Sequence, residues 1–137
     1  MRQDWTLLCT EVNYQQYGTI GLGNIFNRLR VSEPNLQPAD GELVPLDPPI
    51  LLVSHWSAEY DSDRRVHPAI VQLLAPDGDS VIWEDKLEFD LRETTSFRMI
   101  YAMPSLKFLG SGIYEFQVFL DTLGPIGEWG RACLTVI

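Results

Sequence analysis

The regular alternation between Gly110 and Asp121 constrains the fold of this chain more than any other sequence feature. In the segment GSGIYEFQVFLD, one face of an extended strand carries Tyr114, Phe116, Val118 and Leu120. The opposite face is mixed and carries Ile113, Glu115, Gln117 and Phe119. An alternation of this length is typical of an antiparallel strand with one buried face.

Further apolar segments, separated by turn residues, predict a chain made mostly of strands. The eight predicted strands are 4–11, 19–31, 50–60, 66–75, 80–90, 95–103, 112–121 and 129–137. The segment 66–75 also fits a short helix that begins at Pro68. We favour a strand there, because the turn at Pro76-Asp77-Gly78 leads directly into the next alternating segment.

The second predicted strand changes its apolar phase partway along. Ile20 and Leu22 lie on even positions, whereas Ile25 and Leu29 lie on odd ones, with a glycine-rich stretch at 21–24 between them. An extra residue in one strand shifts the phase in this way. The pattern therefore predicts a β-bulge inside this strand.

Tyr114 stands just inside its strand, after a Gly-rich turn. This placement resembles the tyrosine corner of immunoglobulin-like sandwiches, with Phe116 where antibody domains carry their second cysteine. The resemblance implies that the Tyr114 hydroxyl bonds to nearby backbone. We predict an all-β fold, an antiparallel two-sheet immunoglobulin-like β-sandwich of about seven to eight strands.

The chain has the size and composition of one globular domain. Its 137 residues are 45% hydrophobic and 21% charged, so we expect a single domain over residues 1–137 with one packed core. The net charge of -9 repels phosphate backbones and anionic lipid headgroups. We therefore predict no nucleic-acid partner and no membrane partner.

The first twelve residues, MRQDWTLLCTEV, contain apolar residues interrupted by polar ones. No small-residue cleavage site follows them, so they predict a first strand in preference to a signal peptide. No stretch reaches the roughly 18 to 20 apolar residues that span a bilayer. We expect a cytoplasmic protein.

Cys9 and Cys133 lie in the first and last apolar segments, which can be neighbours in a sandwich. A disulfide is therefore geometrically possible. Two thiols without secretory context are more often small buried hydrophobic residues, and we favour unpaired cysteines.

The usual catalytic motifs do not occur in the sequence. Ser54 and His55 are neighbours, and neighbouring strand residues face opposite sides, so they cannot form a nucleophile and its base. His67, the second histidine, has no metal-ligand neighbour at short spacing. We predict no catalytic residue, no cofactor and no enzymatic activity.

Acidic residues gather in turns that antiparallel strands would bring to one end of a sandwich. Clustered carboxylates in such turns bind calcium in some sandwich domains, because this cation takes six to eight oxygen ligands. Arginines in the same turns favour ordinary salt bridges instead. The candidate ligands are Asp61, Asp63, Asp90 and Asp121, with Glu93 and Glu128 nearby.

Residues 32–49, SEPNLQPADGELVPLDPP, contain five prolines, four acidic residues and no Lys or Arg. We predict that this segment is neither a helix nor a central strand. It is interpreted as a solvated crossover or as a recognition loop for a partner. The candidate interaction residues are Pro34, Pro38, Leu43, Pro45, Leu46 and, after the last long turn, Trp129.

The other three tryptophans, Trp5, Trp56 and Trp83, lie in predicted strands, and we expect all three to pack in the core. With no catalytic motif and an acidic Pro-rich segment, the sequence favours a protein-binding or self-associating module. A module that binds calcium or a small ligand through its acidic turns is the alternative.

The order of several turn and core motifs resembles a family of small, mostly bacterial proteins catalogued as a domain of unknown function. In chain order these motifs are GTIGLGNIF (18–26), APDG (75–78), Gly112-x-Tyr114-x-Phe116, Asp121 and Leu134-x-Val136. The resemblance spans most of the chain, and it implies a bacterial immunoglobulin-like sandwich and no particular activity. The Pro-rich segment and the turn at 121–128 are longer here than in that pattern.

Overall fold

The computed structural model describes residues 1–15, 19–31, 38–121 and 129–137. These residues form an all-β structure without an α-helix. The strands are β1 (Arg2–Cys9), β2 (Glu11–Tyr14), β3 (Ile20–Gly23), β4 (Arg28–Leu29), β5 (Leu43–Ser57), β6 (Val66–Leu74), β7 (Val81–Asp90), β8 (Ser96–Lys107), β9 (Gly112–Leu120) and β10 (Gly130–Val136). A single 3-10 turn, Asp61–Asp63, lies between β5 and β6.

The described strands form three sheets. The order is β1-β5-β8 in the three-stranded sheet and β4-β10-β9-β6-β7 in the five-stranded sheet, while β2 and β3 form a separate hairpin. Neighbouring strands run antiparallel, except that the short β4 lies parallel to β10. No described helix is long and apolar enough to cross a membrane.

One core cluster draws its side chains from both larger sheets. Trp56 in the three-stranded sheet and Phe89 in the five-stranded sheet meet there, with ring centroids 6.4 Å apart. The predicted buried face of β9 is confirmed, because Tyr114, Phe116 and Val118 are all at most 1% exposed. Burial of these apolar side chains holds the two sheets together.

The strand predicted for 66–75 is confirmed as β6, which pairs with β7 on one side and β9 on the other. The helix alternative is wrong. A short apolar run is compatible with either a helix or a strand. Between β7 and β9, the backbone N–H and C=O groups of this segment find partners only if it is a strand.

The single strand predicted for 19–31, with its bulge, is wrong. β3 ends at Gly23, Asn24 adopts a φ of 55°, and the chain becomes extended again at Arg28. β3 pairs with β2, whereas β4 joins the five-stranded sheet. The apolar phase changes because the chain passes from one sheet to another.

The prediction that 32–49 excludes a central strand is also wrong. β5 begins at Leu43 and lies between β1 and β8, with Pro45 opposite Ser105. Pairing stops after Pro45 and resumes at Ile50, so Pro48 and Pro49 occupy positions where no N–H is required. The peptide bond between Asp47 and Pro48 is cis. Residues 32–37, which include Pro34, lie outside the described part of the chain.

The tryptophans divide between the core and the opposite sheet face. Trp56 is 1% exposed and Trp83 is packed against the core cluster, as predicted. The prediction for Trp5 is wrong. The register between β1 and β5 shifts between Gln3 and Trp5, and Trp5 stacks on His55 on the face turned away from the core.

The cysteines are both free, as the sequence favoured. Cys9 is buried and Cys133 is partly buried. Burial raises the pKa of the Cys9 thiol, which keeps it in its neutral, weakly nucleophilic form.

Candidate functional site

The Tyr114 hydroxyl closes the turn that precedes β9. It accepts a hydrogen bond from the Leu109 N–H at 2.7 Å and donates one to the Gly110 carbonyl at 2.7 Å. The predicted tyrosine corner contacts are therefore confirmed. Burial raises the pKa of Tyr114, so the phenol stays neutral and serves as a structural hydrogen-bonding group.

A groove of about 630 Å³ lies between the segment 24–31 and the segment 44–50. Its lining includes Pro45 and Leu46, two of the predicted interaction residues. The predicted residue Leu43 lines a smaller groove of about 290 Å³, together with Trp83 and Tyr101. Pro38 is partly buried, and Trp129 packs against Phe119 with ring centroids 5.6 Å apart. The five candidates that the structure describes therefore do not line one groove.

The larger groove has an apolar floor and a charged rim. Several partly buried side chains that pack on the core line it: Phe26, Leu29, Val31, Val44 and Leu46. Exposed Arg28, Arg30 and Asp47 line it too, and Ile25 is 60% exposed. An apolar floor with separate charged groups around it is the usual composition of a recognition site.

The interruption of β5 forms one wall of this groove. Residues 46–49 have no cross-strand partner in β8, and the pairing with β1 begins only at Leu51. Asp47, Pro48 and Pro49 are exposed. This stretch is accessible from outside the sheet, although it belongs to a central strand.

The predicted acidic end is organised around His67, for which the sequence indicated no metal-ligand role. His67 is 0% exposed, and its Nδ1 lies 2.7 Å from Asp121 Oδ2. Its Nε2 lies 2.6 Å from the backbone carbonyl oxygen of Asp63. Both partners are acceptors, so the ring satisfies both contacts only when it donates from both nitrogens.

Asp121 is also held by Arg65. Arg65 donates from both terminal nitrogens to the Asp121 carboxylate, at 3.2 and 3.1 Å. Asp121 itself has a φ of 60° and donates its N–H to the Pro68 carbonyl. These contacts fix the end of β9 to the start of β6.

The other predicted calcium ligands have separate partners. The pKa of Asp63 is lowered to about 2, mainly because its carboxylate accepts a hydrogen bond from the Met1 amino group. Hydrogen bonds from Arg92 lower the pKa of Asp90 to about 2. Asp61 is exposed at the start of the 3-10 turn. Salt bridges and hydrogen bonds thus hold Asp63, Asp90 and Asp121, three of the four candidates. This agrees with the salt-bridge interpretation of these turns.

Within the described ranges, no group of three or more His, Cys, Asp or Glu side chains could hold a metal ion. Glu128 and most of the turn at 121–128 lie outside these ranges. The contact between His67 and Asp121 joins two strands that are distant in sequence. The contact between His67 and Asp121 follows from the register between β6 and β9. Local sequence patterns do not specify that register, so the contact could not be predicted.

Ser54 and His55 point to opposite faces of β5, as predicted. Ser54 is buried and bonds to Thr6 and to the Trp56 indole N–H. His55 Nδ1 lies 2.8 Å from Asp4 Oδ2 on the other face. Ser57 donates a hydrogen bond to the same Asp4 oxygen. The two residues therefore do not form a catalytic pair.

Burial raises the pKa of Asp4, but hydrogen bonds from Ser57, Arg2 and His55 outweigh this effect and lower the pKa to about 2. Asp4 is therefore an anchored carboxylate that orients His55. Sequence reasoning missed this cluster, because its members are brought together by the pairing of β1 with β5.

Comparison with known proteins places the chain in no family. No protein-family model matches the sequence, and no curated protein matches it significantly.

Proposed function

We propose that this chain is a non-enzymatic, immunoglobulin-like β-sandwich module of about seven to eight main strands that binds another protein. The single core cluster shared by the two larger sheets and the Tyr114 corner support the sandwich. The resemblance to a bacterial family of unknown function and a cytoplasmic location belong to the same proposal.

The binding surface in this proposal is the groove between segments 24–31 and 44–50. The observation that carries it is the interruption of β5 between Pro45 and Ile50, which places unpaired backbone and exposed side chains beside an apolar floor. Pro48 and Pro49 have no N–H to offer a partner strand. We therefore expect the partner to insert side chains into the groove and not to add a strand to the sheet.

The charges of the rim favour a partner with both apolar and acidic groups. Arg28 and Arg30 are exposed there, although the chain as a whole carries a net charge of -9. A local basic site on an acidic protein attracts acidic segments and disfavours basic ones. A second copy of this chain, which is itself acidic, is one such partner.

Ile25 offers a direct test, because it lines the groove and its side chain is 60% exposed. The variant Ile25→Asp adds a charge to the groove without emptying the core. Ile113→Asp is the matched control, since Ile113 is 57% exposed on β9 and does not line the groove. Circular dichroism and thermal unfolding establish that both variants keep the fold.

The wild type and both variants are used as baits in quantitative affinity purification, and sedimentation velocity measures self-association. We expect a partner, or a dimer, that is retained by Ile113→Asp and reduced at least about tenfold by Ile25→Asp. A monomer whose bound proteins are the same for all three baits would contradict the proposal.

A further inference from the structure

Arg98 lies in a row of three side chains on the face of the three-stranded sheet that is turned away from the core. In the strand register, Trp5 of β1 is opposite His55 of β5, and His55 is opposite Arg98 of β8. The neighbouring positions Trp56 and Phe97 pack in the core, so alternation directs His55 and Arg98 to the opposite face. Directly opposite residues have Cβ atoms about 5 Å apart. His55 and Arg98 are therefore neighbouring positions on this face.

The Arg98 side chain lacks the partner that its environment calls for. Its Nε is buried and has no hydrogen-bond acceptor among the residues that the structure describes. A buried donor without an acceptor is costly, and a bound water or ion is one explanation of such a group in a native protein. The Asp4 carboxylate, which contacts His55 on this face, is already bonded to Ser57, His55 and Arg2. Its two terminal nitrogens also have no partner among the described residues, and they are not buried, so an external anion can reach them.

Beside this row lies a second row that is entirely apolar. Leu7, Val53 and Ile100 are opposite one another in the register, on the same face. Val53 is 0% exposed, whereas Leu7 and Ile100 are partly exposed. An anion whose charged group met Arg98 would place an attached hydrocarbon chain over these residues.

We propose that this face binds a small organic carboxylate, with the carboxylate on Arg98 and the hydrocarbon part on the Leu7–Val53–Ile100 row. A guanidinium presents two parallel N–H groups to a planar carboxylate. Arg98 offers one positive charge, whereas Asp4 and the net charge of -9 repel anions. The site therefore favours a ligand with one negative charge over a ligand with two. A monocarboxylate is therefore favoured over inorganic phosphate. The site shares no residue with the groove of the proposed protein-binding function and does not depend on it.

The proposal is tested by titrating the isotopically labelled protein with hexanoate and following the Arg98 Nε–H signal and the His55 and Ile100 amide signals by NMR. Hexanamide, acetate and phosphate are the comparison probes. We expect saturable shifts with hexanoate and none with hexanamide, which has the same chain but no charge. Acetate should bind roughly tenfold more weakly, because it leaves the apolar row uncovered. Phosphate should bind more weakly than hexanoate.

Arg98→Gln should abolish the hexanoate response at His55 and Ile100. Arg98→Lys, which keeps the charge and the aliphatic stem, should weaken it at least about fivefold, because the planar fork is lost. Arg131→Gln is the matched control: it removes the same charge from β10 in the other sheet, and the response should be unchanged. An absent or non-saturable response to hexanoate would overturn the proposal. Tighter binding of phosphate, or an unchanged response in folded Arg98→Gln and Arg98→Lys, would overturn it too.

Discussion

The Tyr114 hydroxyl lies 2.7 Å from the Leu109 backbone nitrogen, five residues earlier in the chain. The same hydroxyl reaches the Gly110 carbonyl, so one buried side chain satisfies a donor and an acceptor of the turn that leads into β9. The ring itself belongs to the core cluster. Tyr114 therefore couples the turn to the packing between the two larger sheets.

Replacement of Tyr114 by Phe keeps the ring and removes only the hydroxyl. It leaves the Leu109 N–H and the Gly110 carbonyl without their partner, so we expect a loss of about 1–3 kcal/mol in the free energy of unfolding. Urea denaturation measures this loss. Tyr14→Phe is the control, because Tyr14 is 78% exposed and should change stability by less than about 0.5 kcal/mol. Equal effects of the two substitutions would refute a structural role for the corner hydroxyl.

Two glycines with positive φ, Gly110 just before β9 and Gly112 at its first position, should differ in what a side chain would cost there. Gly110 has a φ of 93° and open space where a Cβ would lie, so Gly110→Ala introduces backbone strain alone, about 1 kcal/mol. Gly112 has a φ of 145°, and its added Cβ would lie 2.8 Å from Pro76 Cβ. Gly112→Ala should therefore cost more, about 2–4 kcal/mol. Thermal unfolding of both variants checks the order, and a more stable Gly112→Ala would be inconsistent with the close approach to Pro76.

His67 is the only described buried side chain that links Asp121 to the 3-10 turn. His67→Ala leaves the Asp63 carbonyl without its donor, removes a hydrogen bond from Asp121 and opens a cavity. We expect a loss of about 2–4 kcal/mol in the free energy of unfolding, measured in urea. Asp121→Asn, which keeps the shape and the Nδ1 contact, should cost less. If His67→Ala is as stable as the wild type, the acidic end is not held together through this residue.

The low pKa of Asp4 predicts that the free energy of unfolding decreases in acid. Its pKa falls from 3.8 to about 2 on folding, so it stabilises the fold above about pH 4, and this contribution is lost as the pH falls toward 2. After an allowance for solvent screening, the contribution is roughly 1 kcal/mol. Asp4→Asn should therefore lose less stability than the wild type between about pH 4.5 and pH 2. Parallel stability curves for the two proteins over that range would contradict the assignment.

The sequence was most informative where the local pattern decided the structure. Alternation alone predicted the buried face of β9, and the Gly-rich turn predicted the Tyr114 contacts, because both depend on residues close together in the chain. The Pro-rich start of β5 was not recognisable as a strand. Its partner is β8, about sixty residues later, and the gap in pairing between Pro45 and Ile50 removes the usual objection to prolines.

The clusters around His67 and His55 depend on long-range register. Asp121 and His67 are 54 residues apart, and Asp4 and His55 are 51 residues apart. The face on which Trp5 lies follows from the register shift after Gln3, because one additional residue reverses the direction of every following side chain. No local pattern in β1 indicated that shift.

Site-specific photo-cross-linking from the groove tests the proposed binding function most directly. A photoreactive phenylalanine analogue is introduced at position 25 in one protein and at position 113 in another, and both are irradiated in the cells that make them. The proposed function predicts a discrete covalent adduct from position 25 that is absent from position 113 and is lost when Arg28 and Arg30 are both replaced by Glu. No adduct at position 25, or the same adducts from both positions, would contradict the assignment of the groove as a protein-binding surface.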